Sequence, residues 1–186
     1  MCQLLTYPHD QVPPELNWQA VSFMRVEWPF INGGMFRETY PAELRPVHFF
    51  VVQDDLLLSY AATFRQPVEH AEVTYEMACL GNVFTYPGAR RKGYGRRVVE
   101  AATRHIRASD SDIATLFCDP HLARFYAANG WKATPESRTY LQGSMRSDGG
   151  EQEGVDARRM MLFLSSKGLA GQHAFRTLPM QVPFPW

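Results

Sequence analysis

Net charge is the first thing this 186-residue chain lacks, since 19 lysines and arginines meet 19 aspartates and glutamates. A neutral chain makes no global field to draw it onto nucleic acid or an anionic membrane, so any basic site must be local. No run of eighteen apolar residues occurs, and residues 1–10 show no basic region followed by an apolar stretch. Neither a membrane span nor a secretory leader is expected. Cysteine is sparse: Cys2, Cys79 and Cys118 are odd in number and fall in no metal-ligand spacing. That argues against a disulfide framework and a metal site, and for reduced thiols in a cytoplasmic compartment. No segment repeats with a fixed period.

What is present suffices to bury a core, with 45% hydrophobic and 13% aromatic residues. Residue patterns predict strands at 3–7, 47–53 and 56–64, the last two joined as a hairpin at Asp54-Asp55. A helix from Pro14 carries Leu16, Ala20, Val21, Phe23, Met24 and Trp28 on one side. A polar loop at 65–72, holding Pro67, Glu69 and His70, precedes a long strand at 73–85. Next comes a helix at 98–109 with Val98, Ala101, Ala102, His105 and Ile106 on its apolar face. A buried parallel strand at 113–118 follows, then a helix at 120–129 capped by Asp119 and stopped by Gly130. Strands at 138–142 and 158–164 form a terminal hairpin across a mobile loop at 143–156. The chain thus divides into a domain at 1–164 and an apolar tail at 165–186. Phe175, Leu178, Met180, Val182, Phe184 and Trp186 make that tail too apolar for a free end. It should dock on its own domain or on a twin subunit in a homodimer.

The most chemically loaded stretch runs from Tyr86 to Arg97, between the 73–85 strand and the next helix. Gly93 and Gly95 allow positive φ and close approach of a ligand, and the N–H groups that open the helix have no intrahelical partner. Those donors and the helix dipole favour phosphate, with Arg90, Arg91, Lys92, Arg96 and Arg97 adding cations. A diphosphate fits. No third glycine stands three residues past Gly95, so the dinucleotide fingerprint is not met, and a solvated basic turn or an RNA-binding patch stays open.

Arg90-x-x-Gly93-x-Gly95, preceded by Val83-x-Thr85-x-Pro87, resembles motif A of the GNAT superfamily of acetyl-CoA-dependent N-acetyltransferases. Tyr126-x-x-x-Gly130-Trp131 resembles motif B of the same family, which usually ends Tyr-x-x-x-Gly-Phe. Asp119 and Leu122 stand where the family often has asparagine and alanine. The likeness covers residues 73–135. It implies a mixed α/β fold with a mostly antiparallel central sheet, a splayed parallel strand pair and flanking helices. It also implies acetyl transfer from acetyl-CoA to the primary amine of a small molecule or peptide.

By that resemblance, the backbone of Val83, Phe84 and Thr85 holds the pantetheine arm of CoA. Arg90, Arg91, Lys92, Gly93, Tyr94, Gly95 and Arg96 surround the diphosphate, and a backbone N–H near Asn82 or Val83 polarises the thioester carbonyl. Tyr126 is the general acid for the departing thiolate, its phenol (about 10) lying above an ordinary thiol (about 8.5). The family's usual glutamate position holds Cys79, which leaves Glu76, or water, to take the amine proton. Cys79 and Cys118 keep a covalent intermediate formally open, and a non-catalytic CoA-binding module is the competing class. Glu69, Glu72, Glu76, Asp54 and Asp55 suggest a cationic acceptor, whereas the aromatic stretch 28–40 suits an apolar one. Trp186 resembles the C-terminal tryptophan of an aminoglycoside N-acetyltransferase subgroup, where a tail folded into the acceptor cleft would offer its carboxylate to an ammonium.

Overall fold

The structure, a computed structural model, describes residues 2–29, 37–134, 138–141 and 158–184. The chain opens with β1 (Cys2–Pro8), a 3-10 turn at His9–Gln11 and α1 (Pro14–Glu27). Then come β2 (Val47–Gln53), β3 (Leu56–His70), β4 (Val73–Thr85) and α2 (Tyr94–Arg107). They are followed by β5 (Ile113–Cys118), α3 (Ala123–Ala127), β6 (Lys132–Ala133) and β7 (Thr139–Leu141). The chain closes with β8 (Arg158–Phe163), α4 (Ser166–Thr177) and β9 (Met180–Val182). Seven strands form one sheet in the order β1-β2-β3-β4-β5-β8-β6, and β7 pairs with β9. The sheet is mostly antiparallel, with β4 and β5 its parallel pair: Met77 faces Ile113 and Cys79 faces Thr115. This is the mixed α/β architecture expected from the sequence.

Two compact units share these elements: Met1–Phe64 with Leu80–Arg104, and Arg65–Cys79 with His105–Trp186. In the first, α1 buries Leu16, Ala20, Val21, Phe23 and Met24, the helical spacing its sequence announces. Phe23 stacks on Phe84 at 4.2 Å, and the Gln19 side chain grips the β2–β3 turn by accepting from Leu57 N and donating to Asp55 O. Asp54 (φ 50°) and Asp55 (φ 64°) are both left-handed, the turn a two-residue hairpin requires.

In the second unit Asp112 is a hub. Its carboxylate accepts from Glu76 N (3.0 Å) and Ser165 Oγ (2.7 Å) and meets Lys167 Nζ at 2.6 Å, while its carbonyl accepts from Leu164 N. Burial opposes the charged carboxyl, but Lys167, Ser165 and the Glu76 N–H together hold it below the usual carboxylate range. The Ser165 oxygen also caps α4 by accepting from Gly168 N (3.0 Å). Phe175 of α4 is fully buried against His70, Tyr75 and Phe163.

Several local expectations change. No loop occupies 65–72: β3 runs to His70, and Ala71 (φ 49°) and Glu72 (φ 62°) alone make the turn into β4. The strand was hidden because two of its inward residues are polar. Gln66 exchanges two 3.0 Å hydrogen bonds with the Phe184 backbone, and His70 stacks on Phe175 at 4.2 Å. The terminal hairpin is absent: β7 pairs in parallel with β9, and β8 lies between β5 and β6. The 120–129 helix is a 3-10 turn plus the five residues of α3, and the Asp119 side chain makes no cap bond. On α2, which starts at Tyr94 rather than Val98, His105 is exposed rather than packed. The loop 143–156, most of the aromatic stretch after α1, and Trp186 lie outside the described residues.

A Cβ built on Gly168 would lie 2.1 Å from the Asp112 carbonyl oxygen, whereas one on Gly88 meets nothing within 4 Å. Gly168→Ala should therefore lower stability by about 1–3 kcal/mol in urea unfolding, with Gly88→Ala changed by less than about 0.5 kcal/mol. Equal effects of the two substitutions would contradict the hub.

Candidate active site

The loop after β4 is built by short-range bonds. Tyr86 N donates to Leu58 O (2.9 Å), Ala89 N to Tyr86 O (2.8 Å) and Arg90 N to Pro87 O (3.2 Å). Arg91 (φ 64°) and Gly93 (φ 84°) then turn left-handed, and Arg97 N makes the first helical bond, to Gly93 O (3.1 Å). The N–H groups of the opening turn have no carbonyl of the helix to bond, the arrangement that receives an anion. A Cβ on Gly93 would meet nothing within 4 Å, so its surroundings are open to a ligand. These features fit a diphosphate.

The cations divide into two groups. Arg90 donates from Nε to Thr85 O (3.0 Å) and pairs with Glu27 of α1 at 3.2 Å. Arg96 pairs with Glu100 at 3.4 Å, and Arg97 donates to Cys2 Sγ at 3.0 Å. Arg91 and Lys92 are exposed and have no ion-pair partner among the described residues. They are the exposed, uncommitted charges; Arg90 instead shapes the loop, through an exposed pair worth roughly 0–1 kcal/mol that a phosphate could displace. Beside the loop lies a cleft of about 230 Å³ with Leu56, Leu58, Tyr86 and Tyr94 in its wall and Lys92 among its lining.

At the end of β4 the backbone is partly committed. Ser59 Oγ donates to Phe84 O and meets Thr85 Oγ1, both at 2.8 Å, and Thr85 O already accepts from Arg90. Asn82 is left-handed within the strand (φ 52°), and its Nδ2 donates to Thr39 O at 2.9 Å. Asparagine tolerates that conformation better than a branched residue, and the twist re-aims the peptide groups around it. An asparagine beside a glycine in an apolar strand was the available signal.

Tyr126 and Glu76 belong to the second unit. Tyr126 on α3 is 5% exposed, and burial first, then Cys118 and Asp119, push its phenol well above the ordinary range. Burial also raises the Cys118 thiol, to about 11, with Asp119 adding to it, and raises the enclosed Cys79 thiol further. Glu76 is exposed, and its backbone exchanges bonds with Asp112 just before β5. Tyr126 is grouped with Cys118 and Asp119 at the other end of that strand. Six strand residues span about 20 Å, so the structure does not bring the two expected catalytic side chains together. Asp54, Asp55, Glu69 and Glu72 are likewise exposed.

The family model for the acetyltransferase (GNAT) domain matches residues 17–134. The chain belongs to the GNAT family. As a GNAT protein it is an acyltransferase enzyme of a fold that takes acyl-CoA as donor. Its fold is similar to that of an acyl-CoA N-acyltransferase from Pseudomonas aeruginosa, with a TM-score of 0.56 and 18% identity over 87% of this chain and 99% of that one. Escherichia coli ElaA is similar at TM-score 0.56 and 16% identity, with the same coverage. Escherichia coli YhbS, a GNAT family N-acetyltransferase solved in complex with CoA, is similar at TM-score 0.57 and 13% identity over 97% and 90% of the two chains. At such identities the likeness is one of fold. No curated protein matches the chain in sequence. Among the described residues no helix is long and apolar enough to cross a membrane, and no group of His, Cys, Asp or Glu could hold a metal ion.

Gly93→Ala forces a Cβ into a positive-φ position and should cost about 1 kcal/mol of stability in urea. The same variant should bind CoA more weakly by isothermal calorimetry; unchanged affinity would remove Gly93 from the donor site.

Proposed function

We propose that the protein transfers acetyl from acetyl-CoA to the primary amine of a small molecule or peptide by direct attack. The observation that carries the proposal is the loop opening α2, where unpaired backbone donors and the exposed Arg91 and Lys92 suit the CoA diphosphate. Bound acetyl-CoA supplies a thioester carbonyl and a thiolate leaving group. Val83 to Thr85 offer the pantetheine arm their remaining backbone groups, and the peptide groups reoriented at Asn82 offer an N–H to the carbonyl.

Direct attack is favoured because the candidate nucleophilic thiols are unsuitable. Burial pushes the Cys118 thiol up to about 11 and encloses Cys79 fully, so both stay protonated at neutral pH. Tyr126 is the proposed acid. Its raised phenol keeps the proton at every working pH, and transfer to a thiolate in water would be uphill. The proton moves once the sulfur shares the water-poor surroundings that burial gives the phenol. Glu76, exposed and remote from Tyr126 along β5, is at most a solvent-side acceptor.

The test is CoA-thiol release from acetyl-CoA with a panel of primary amines. Tyr126→Phe should lower kcat roughly 100-fold with CoA affinity unchanged, while Glu76→Gln changes kcat by less than about threefold. Because the Tyr126 phenol is raised rather than lowered, wild-type kcat/KM should rise with pH and show no falling limb up to about pH 10. Equal rates for wild type and Tyr126→Phe would remove the acid role. Release by neither would leave a CoA-binding module.

A further inference from the structure

Acetyl transfer to an amine has one requirement that the exposed Glu76, remote from Tyr126, leaves open: at neutral pH the acceptor is an ammonium and must lose a proton before it can attack. The first unit holds a chain of titratable side chains that the proposed acetyl transfer does not use. His9, in the turn after β1, places Nδ1 3.2 Å from Nε2 of His48 on β2, and His48 Nδ1 lies 2.7 Å from the Tyr60 hydroxyl on β3. Strand register sets this up, with Tyr7 facing His48 and Phe50 facing Tyr60. Exposure falls along the chain: His9 is half-buried, His48 is 1% exposed and Tyr60 is 0% exposed. The line therefore runs from solvent into the core.

Its inner end meets Thr39. The buried Thr39 side chain lies beside the Tyr60 phenol and favours its ionisation by hydrogen bonding, against the larger effect of burial. The Thr39 carbonyl accepts from Asn82 Nδ2, which ties this end to the left-handed residue of β4, one position before Val83. The titratable groups around His48 are His9, Tyr60 and, across β1, Tyr7, with the Phe50 ring at 6.1 Å. Burial and the neighbouring His9 hold His48 at about 4, so it is neutral at pH 7 and can take a proton on one nitrogen while releasing one from the other.

We propose that Tyr60, His48 and His9 form the proton exit for the acceptor ammonium, with Tyr60 taking the proton and the two histidines passing it to water. This rests on the amine-transfer function proposed above. An ammonium N–H breaks and its proton goes to the Tyr60 oxygen as the phenol proton moves to His48 Nδ1. His48 gives its Nε2 proton to His9 Nδ1, and His9 gives its Nε2 proton to water. The sum is ammonium to neutral amine plus one solvated proton. Phenol rotation and imidazole tautomer exchange reset the chain.

The experiment compares the primary alkylamine used best by the wild type with a β-fluorinated analogue of it that is largely neutral at pH 7. For the alkylamine at pH 7, His48→Gln should lower kcat/KM roughly 10- to 100-fold and the surface variant His9→Gln at least about threefold, with KM for acetyl-CoA unchanged. For the fluorinated amine, which enters neutral and needs no deprotonation before attack, both deficits should shrink to within about twofold. Equal deficits with both amines would show a structural effect and overturn the relay, as would full activity of both variants with the alkylamine. Wild-type protein that binds acetyl-CoA but uses no amine would overturn the amine-transfer function and the relay with it. Should His48→Gln fail to fold, the half-buried His9→Gln decides the matter by the same comparison.

Discussion

Backbone donors at the start of α2 are the constraint on which the proposed chemistry depends. A helix cannot bond its own first N–H groups, and Gly93 at φ 84° starts the helix where those groups stand beside an open surface. Local bonds keep the loop in that shape. Arg90 ties Thr85 O to Glu27, Ser59 fixes the Phe84 carbonyl and the Thr85 hydroxyl, and Tyr86 N is held by Leu58 O. In the proposed donor site, anion binding would come chiefly from oriented peptide groups, with the exposed Arg91 and Lys92 adding charge. A chain with zero net charge needs such a device, because it has no long-range field to gather a polyanionic donor.

The second unit is held by polar groups as well as by its apolar core. Asp112 gathers Glu76 N, Ser165 Oγ and Lys167 Nζ, so one carboxylate links β4, the start of β5 and the cap of α4. Arg159 on β8 is 3% exposed and donates to Thr134 Oγ1, Thr139 Oγ1 and Phe175 O. Its acceptors are neutral, and burial lowers the guanidinium to about 10, still charged at neutral pH. The same burial that makes Cys79 and Cys118 poor nucleophiles keeps the Tyr126 phenol protonated. Desolvation therefore disfavours thiolate chemistry and keeps the Tyr126 phenol protonated in one unit.

The turn from β4 into α2 was legible in the sequence because its signals are local: glycine spacing, basic residues and a strand-to-helix transition lie within a dozen positions. Strand β5 and the Asp54-Asp55 turn were legible for the same reason. What escaped depends on distant partners. Gln66 and His70 read as loop residues because the groups that satisfy them, Phe184 and Phe175, lie more than a hundred positions away. The helix α4 and strand β9 were hidden likewise, since Phe175 is explained only by Tyr75, Phe163 and His70. His9, His48 and Tyr60 are not linked by any local signal in the sequence; strand register brings them into one line.

The most direct measurement on the central claim is the melting temperature with and without acetyl-CoA, with adenosine diphosphate as the control for simple phosphate binding. At a hundredfold excess over Kd, linkage gives about 2.7 kcal/mol, or a rise of about 5 to 11 °C for a chain of this size. The loop and family membership together lead to a rise of that order, well above the control. No rise, or one that adenosine diphosphate matches, would contradict acyl-CoA as the ligand of the α2 N-terminus.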